Sequence, residues 1–263
     1  MKAFYFFAAF IVTGLCASAQ IKGGFSYSLS LPQHEMKQNI NPVHSMNINF
    51  MSHVKKLPKL SWGIEAGFGQ YASFTKDQEV RFPDGSGITT QVSYSSSAVT
   101  AGFVTRYNLF KETKVNPYLT GKLGYASFFS KVFVADPEHD DDCKPLEKKT
   151  PISDHSFFAS YGAGLQIDIS NKKKPKNAWL DISINQVHGS KLDYINMKDI
   201  KENIQTDPNN PVPASDKSVP LSIRFVNVST QTIHEHQMAE VYNSSLRLFE
   251  MKIGVIWRFD NDD

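Results

Sequence analysis

From Phe157 to Ile169 every second residue is apolar: Phe157, Ala159, Tyr161, Ala163, Leu165, Ile167 and Ile169. Between them stand Phe158, Ser160, Gly162, Gly164, Gln166 and Asp168. Successive side chains of a strand point to opposite faces, so this alternation specifies a strand with one apolar face and one small or polar face. The pattern recurs. Phe249, Met251, Ile253, Val255, Trp257 and Phe259 alternate with Glu250, Lys252, Gly254, Ile256 and Arg258. Leu60, Trp62, Ile64, Ala66 and Phe68 alternate with Ser61, Gly63, Glu65, Gly67 and Gly69. Residues 25–31, 46–54, 92–109, 117–129 and 180–185 follow the same period, which makes eight candidate strands. Only 194–204 carries a helical period. The chain reads as all-β.

The connections are as informative as the strands. The links after the second, fourth and sixth strands are short and basic, at 55–59, 111–114 and 171–177. Those after the first, third, fifth and seventh are long, running about 32–45, 75–91, 131–154 and 188–244. In an up-and-down meander this alternation places every short turn at one end and every long loop at the other. Membrane barrels have that asymmetry, with short turns on one side, long loops on the other and an even strand count. The expected fold is therefore an eight-stranded antiparallel up-and-down transmembrane β-barrel. A soluble ligand-binding barrel is the alternative, with the apolar face turned inward around a ligand.

The non-apolar face fits a narrow lumen. It is rich in Gly and Ser, and eight strands enclose a space that side chains just fill. The isolated charges Glu65, Lys122, Asp168, Asp181, Glu250, Lys252 and Arg258 fall on it. Buried charges cost several kcal/mol each unless paired, so a lumen holding both signs is expected to form a network. The aromatics Trp62, Trp179, Tyr118, Phe128, Phe129, Trp257 and Phe259 lie near strand ends, where interfacial girdles stand.

Residues 1–19 read as an export signal. Met1 and Lys2 precede an apolar run from Ala3 to Leu15, and Ala17-Ser18-Ala19 supplies small residues for cleavage before Gln20. Residues 20–263 then form the barrel domain, with 188–244 as its long loop. Past residue 15 no apolar run approaches the ~18 residues of a membrane helix. Lys and Arg number 28 against 26 Asp and Glu, a net charge of +2. That balance excludes a nucleic-acid binder, which concentrates basic charge on one face. Beyond the signal only Cys143 remains, so no intrachain disulfide is available.

The last strand adds a motif. Lys252-Ile253-Gly254-Val255-Ile256-Trp257-Arg258-Phe259 reads polar, any, Gly, any, any, aromatic, any, aromatic. It resembles the C-terminal signal by which barrel-assembly machinery recognises outer-membrane proteins of Gram-negative bacteria. The matching positions are Lys252, Gly254, Trp257 and Phe259, although Asp260-Asn261-Asp262-Asp263 follow the final aromatic. With the signal and the strand rhythm, the chain resembles the small outer-membrane β-barrel family of the OmpA/OmpX type, porin-like members included. The resemblance implies outer-membrane localisation and contact with outer-membrane lipid, lipopolysaccharide and the barrel assembly machinery.

Few residue patterns suggest chemistry. Asp136, Glu138, His139, Asp140, Asp141, Asp142 and Cys143, with His155 nearby, form an acidic loop without the glycine of an EF-hand turn. His234-Glu235-His236 lacks zincin spacing. Neither specifies a metal, no cofactor is implied, and no nucleophile-elbow motif occurs. Three functions follow. The first is a non-enzymatic barrel with a structural role or a protein partner at its long loops, since loops of such length are usually functional. The second is a small porin-like channel. The third is a lipid or peptide hydrolase at the rim, with His155, His188 and His234 as its candidate histidines.

Overall fold

The alternating segments become strands that pair with their sequence neighbours. The computed structural model describes residues 21–54, 57–81, 87–110, 113–134, 147–170, 177–195, 218–226 and 233–259. These contain β1 (Ile21–Pro32), α1 (Glu35–Asn39), β2 (Val43–Val54), β3 (Leu57–Arg81), β4 (Gly87–Asn108), β5 (Val115–Val134), β6 (Glu147–Asp168), β7 (Ala178–Ile195), β8 (Ser218–Val226) and β9 (Ile233–Phe259). Every pairing is antiparallel. The order runs from β1 to β7 and then β9, and β1 pairs back to β9, from Ile21 opposite Phe259 to Pro32 opposite Leu248. Eight strands thus close an up-and-down barrel, with β8 as a ninth strand on the free end of β9. The export signal at 1–19 and the acidic loop at 136–143 lie outside the described residues.

The lower part of this barrel is inverted relative to a soluble protein. Outward-facing Phe25, Ile48, Ile64, Phe103, Leu123, Phe157, Ile184 and Ile253 are each at least 40% exposed. Inward-facing Ser26, Asn47, Glu65, Ser160, Asp181, Asn185 and Lys252 are buried. A continuous apolar coat far exceeds the few hundred Å² that soluble monomers expose. Closure also satisfies the backbone of every strand edge at this level, a requirement of any spanning sheet. The apolar run Phe249 to Phe259 matches the ~9–11 residues of a tilted spanning strand. The chain is a membrane-spanning β-barrel. No described helix is long and apolar enough to cross a membrane, which has no bearing on a barrel.

Beyond the apolar coat the strands continue, so parts of the expected loops 75–91, 131–154 and 188–244 are strand. β3 and β4 remain paired up to Arg81 opposite Gly87, and β5 and β6 up to Val134 opposite Glu147. β9 extends back to Ile233, where β8 joins it opposite Val226. The expected helical period at 194–204 is a strand in its described part, since Tyr194 and Ile195 pair with Tyr242 and Val241. In this crown the polarity is that of a water-soluble protein. Tyr94, Phe128, Leu192, Tyr194, Ile195, Leu246 and Leu248 share one buried cluster, while Ser153, His155, Lys191, Asn243 and Arg247 face out. The extension of β3 to β7 is hidden in the sequence because the period stays two while the apolar phase moves to the other face. Adjacent apolar pairs mark the change: Ala98-Val99, Phe157-Phe158 and Leu248-Phe249 each point one side chain in and one out.

The crown is also no longer a closed barrel. Pairing of β6 with β7 stops at Phe158 opposite Gly189. Above it stand a β3-β4-β5-β6 sheet and a β7-β9-β8 sheet, facing each other across the apolar cluster. Side chains bridge the seam: Ser156 Oγ donates to the Ser190 carbonyl (3.0 Å), and the Asp193 amide donates to Asp154 Oδ2 (2.7 Å). The first expected loop folds as α1 over the mouth, burying Met36 and Ile40. Asn39 Nδ2 donates to Tyr194 Oη (3.1 Å), and the Arg247 amide approaches Met36 Sδ (3.4 Å).

Candidate functional site: the charged lumen

Three strands from different parts of the wall meet in the lower lumen. Glu65 on β3, Lys122 on β5 and Glu250 and Lys252 on β9 all point inward, at the parity that alternation assigns them. Glu65 Oε1 accepts from Lys122 Nζ (2.5 Å) and Lys252 Nζ (2.6 Å). Glu250 Oε1 lies 3.7 Å and 3.5 Å from the same two nitrogens and accepts from Asn185 Nδ2 (3.1 Å). Two positive and two negative groups balance. Each ammonium sits between two carboxylates, so each buried charge has the opposite charges that offset its desolvation. The tetrad spans the lumen because the residues beside it are small. Ser26, Ser28, Ser160 and Ser183 are buried there without long side chains.

Nearer the short turns lies a second layer. Arg106 Nη2 donates to Asp181 Oδ2 (3.1 Å), and its guanidinium lies 4.0 Å from the centre of the Tyr118 ring. Lys22 Nζ stands 4.2 Å from the centre of the Trp179 ring. Both are cation–π arrangements, which strengthen when desolvated. Tyr118 covers Gly164, its direct cross-strand partner, where any Cβ would collide with the phenol ring. Lys22, His53, Ser61, Arg106, Asn108 and Gln166 border a residual cavity of about 10 Å³. That is room for about one water.

The seven charges expected on the lumenal face separate into these layers. Glu65, Lys122, Glu250 and Lys252 come together, whereas Asp181 joins Arg106 instead. Asp168 and Arg258 stand at the turn end, where Asp168 Oδ1 caps the Ser170 amide (2.9 Å). Arg106 was legible yet missed: it lies an even number of residues from Gly102 and Val104 on the inner face. Trp179, Tyr118 and Phe128, expected in the girdles, face inward and are 8%, 1% and 2% exposed. Tyr118 has the parity of lumenal Lys122, and Trp179 that of Asp181, so proximity to a strand end is a poorer guide than parity. Trp257 and Phe259 do face outward, at 44% and 56% exposure.

The residues of the C-terminal motif divide between the two faces. Lys252 joins the tetrad, and Gly254 lies against β1, where a Cβ would strike Ser26 and the Phe25 carbonyl. Trp257 and Phe259 belong to the outer wall. His155 and His188 also belong to the outer wall, and each stacks on its own tyrosine, Tyr125 (5.2 Å) and Tyr161 (5.8 Å). His234 and His236 lie on β9 opposite Phe225 and Ile223. Among the described residues no cluster of three metal-ligating side chains occurs.

In layout the chain is an eight-stranded barrel with an apolar coat, a salt-bridged lumen and a plugged mouth. No family profile matches it, and no curated protein does. Solved structures of similar shape include Neisserial surface protein A, at 10% identity, with 91% of this chain and 96% of that one covered and a TM-score of 0.37. A major outer membrane protein from Thermus thermophilus matches at 11% identity over 90% and 99% of the two chains, with a TM-score of 0.43. The outer membrane protease OmpT from Escherichia coli matches at 9% identity over 91% and 97%, with a TM-score of 0.37. At these scores the likeness carries no inference about activity.

Proposed function

We propose that the chain is a non-enzymatic integral protein of the Gram-negative outer membrane, exported by residues 1–19, with a closed lumen and a crown that meets a partner. The supporting observation is the lumen itself. It is crossed by the Glu65–Lys122–Glu250–Lys252 tetrad and by the Arg106–Asp181 layer, and the mouth above is filled by apolar side chains. A conducting pore needs a wider barrel or missing lumenal side chains. In this reading the short basic turns face the periplasm and the crown faces outward. The assembly machinery reads Lys252, Gly254, Trp257 and Phe259 on β9. Lipid and lipopolysaccharide surround the coat, and a protein partner binds at the crown.

Planar-bilayer conductance tests the closed lumen. The expected record shows no steady openings; ion-selective openings would overturn it in favour of the porin-like reading. The hydrolase reading draws no support from His155 and His188, because their rings stack on separate tyrosines on the outer wall.

A further inference from the structure

The outer wall carries a groove that the closed lumen does not explain. It occupies about 490 Å³ across β5, β6, β7 and β9 and is lined by Leu119, Tyr161, Ala163, Ile184, Gln186 and Phe249. That is within the range of about 300–1,000 Å³ typical of small-molecule sites. Strand register explains the hollow. Leu119, Ala163, Ile184 and Met251 face out in one lateral row, and Gly121, Tyr161, Gln186 and Phe249 in the row above. The small Ala163 and Gly121 sit among large side chains, so the surface dips between the ridges. The dip lies within the apolar coat and is itself almost wholly apolar.

The upper lip of this groove has a different chemistry. One row higher stand Ala159, His188 and Arg247. His188 stacks on Tyr161, with ring centres 5.8 Å apart and planes 13° from parallel, which fixes the tyrosine as a wall of the groove. Arg247 Nη1 lies 3.5 Å from His34 Nε2, which reaches over from the loop before α1. Gln186 Nε2 donates to Gln33 Oε1 (2.7 Å), tying the same loop to the lip. Leu248-Phe249 marks the level at which the apolar coat ends, so Arg247 stands just above it. Headgroups of a bilayer lie at that height.

We propose that this groove and lip form a binding site for a phosphate-bearing lipid. Its acyl chain lies along Ala163 between Leu119 and Tyr161, and its phosphate meets Arg247 with His188 and His34. A guanidinium suits a phosphate through paired N–H donors, and apolar burial of the chain supplies the remaining affinity. Neither half suffices. An apolar hollow alone would take any acyl chain, and an exposed arginine alone would bind phosphate only weakly. The site rests on the proposed reading that this wall faces lipid, which a charge placed on the same wall tests separately.

The test is native mass spectrometry of the delipidated full-length barrel in detergent. It is titrated with dimyristoylphosphatidylglycerol, with dimyristoylglycerol of the same chains, and with glycerol phosphate. The phospholipid is expected to be retained about tenfold better than the neutral lipid, a difference of about 1.4 kcal/mol, and glycerol phosphate not at all. Ala163→Phe fills the hollow and is expected to weaken both lipids. Arg247→Gln is expected to lower the phospholipid to the level of the neutral lipid and leave the neutral lipid unchanged, whereas His188→Gln, which also frees the Tyr161 wall, is expected to weaken both. Heat-modifiable gel migration confirms that each variant is folded. Equal retention of the two lipids, retention of glycerol phosphate, or indifference to Ala163→Phe in a folded barrel would overturn the proposal.

Discussion

The lower barrel and the crown are built from the same strands by opposite rules. Along β9, Leu246 and Leu248 point inward and Ser245 and Arg247 outward; two residues further on, Phe249 and Met251 point outward and Glu250 and Lys252 inward. The strand neither breaks nor changes period. Only the solvent outside changes, and with it the face on which apolar residues belong. Interior composition therefore follows from what surrounds each level. In water the outer face is polar and the core is apolar, whereas in lipid the outer face is apolar and the interior is free to hold charge.

The largest effect expected from this contrast lies in the polar interior. Lys252→Met leaves two buried carboxylates with Lys122 as their shared cation and is expected to destabilise the barrel by about 3–5 kcal/mol. Adding Glu65→Gln restores neutrality and is expected to recover most of that loss. Urea unfolding of the barrel in detergent micelles measures both variants. If Lys252→Met alone has no effect, the tetrad does not carry the lumen.

A single substitution placed at two heights sharpens the comparison further. Leu123→Arg puts a charge on the 66%-exposed outer face of the lower barrel. The expected cost is about 2–4 kcal/mol at the bilayer midplane, falling toward the interfaces. Ser153→Arg, outward on β6 within the crown, is expected to change stability by no more than about 0.5 kcal/mol. Folding into phospholipid vesicles reads the pair. Equal effects at the two positions would mean that the apolar coat does not mark the membrane.

A change smaller than that at Leu123 is expected at the entrance to α1. His34 has φ 53° and ψ −131°, the only positive φ at a non-glycine residue among those described. Glycine reaches that conformation without a Cβ clash, so His34→Gly is expected to stabilise the cap by about 1 kcal/mol. A higher midpoint of thermal unfolding would show it, and a lower one would mean that the ring's contact with Arg247 outweighs the strain.

Much of the lower barrel could be read from the sequence, because parity there is unbroken and the short basic turns are distinct. Glu65, Lys122, Glu250 and Lys252 all fall where alternation places them. Their assembly into one tetrad could not be read, since it depends on strand tilt and on which walls of the barrel face each other. The crown was hidden for another reason. Val132, Val187, Leu192 and Leu246 are apolar on the face that is polar lower down, so the pattern resembles loss of the strand. Met36 and Ile40 sit at a five-residue helix, too short to show a period of its own. Arg106 was within reach, had parity been followed through the fourth strand as strictly as through the sixth.

The apolar pairs have a consequence for how the molecule fits its surroundings. From the Leu248-Phe249 junction to the final aromatic of β9 runs the stretch Phe249 to Phe259, whose length is close to the ~25 Å apolar band of such barrels. The spacing works as a ruler written into the chain. Moving the Leu248-Phe249 junction along β9 by one side-chain pair would raise or lower the waterline by about 5 Å. The polar crown above and the lysine-bearing turns below then act as stops, so the barrel carries its own record of the thickness of the bilayer it was made for.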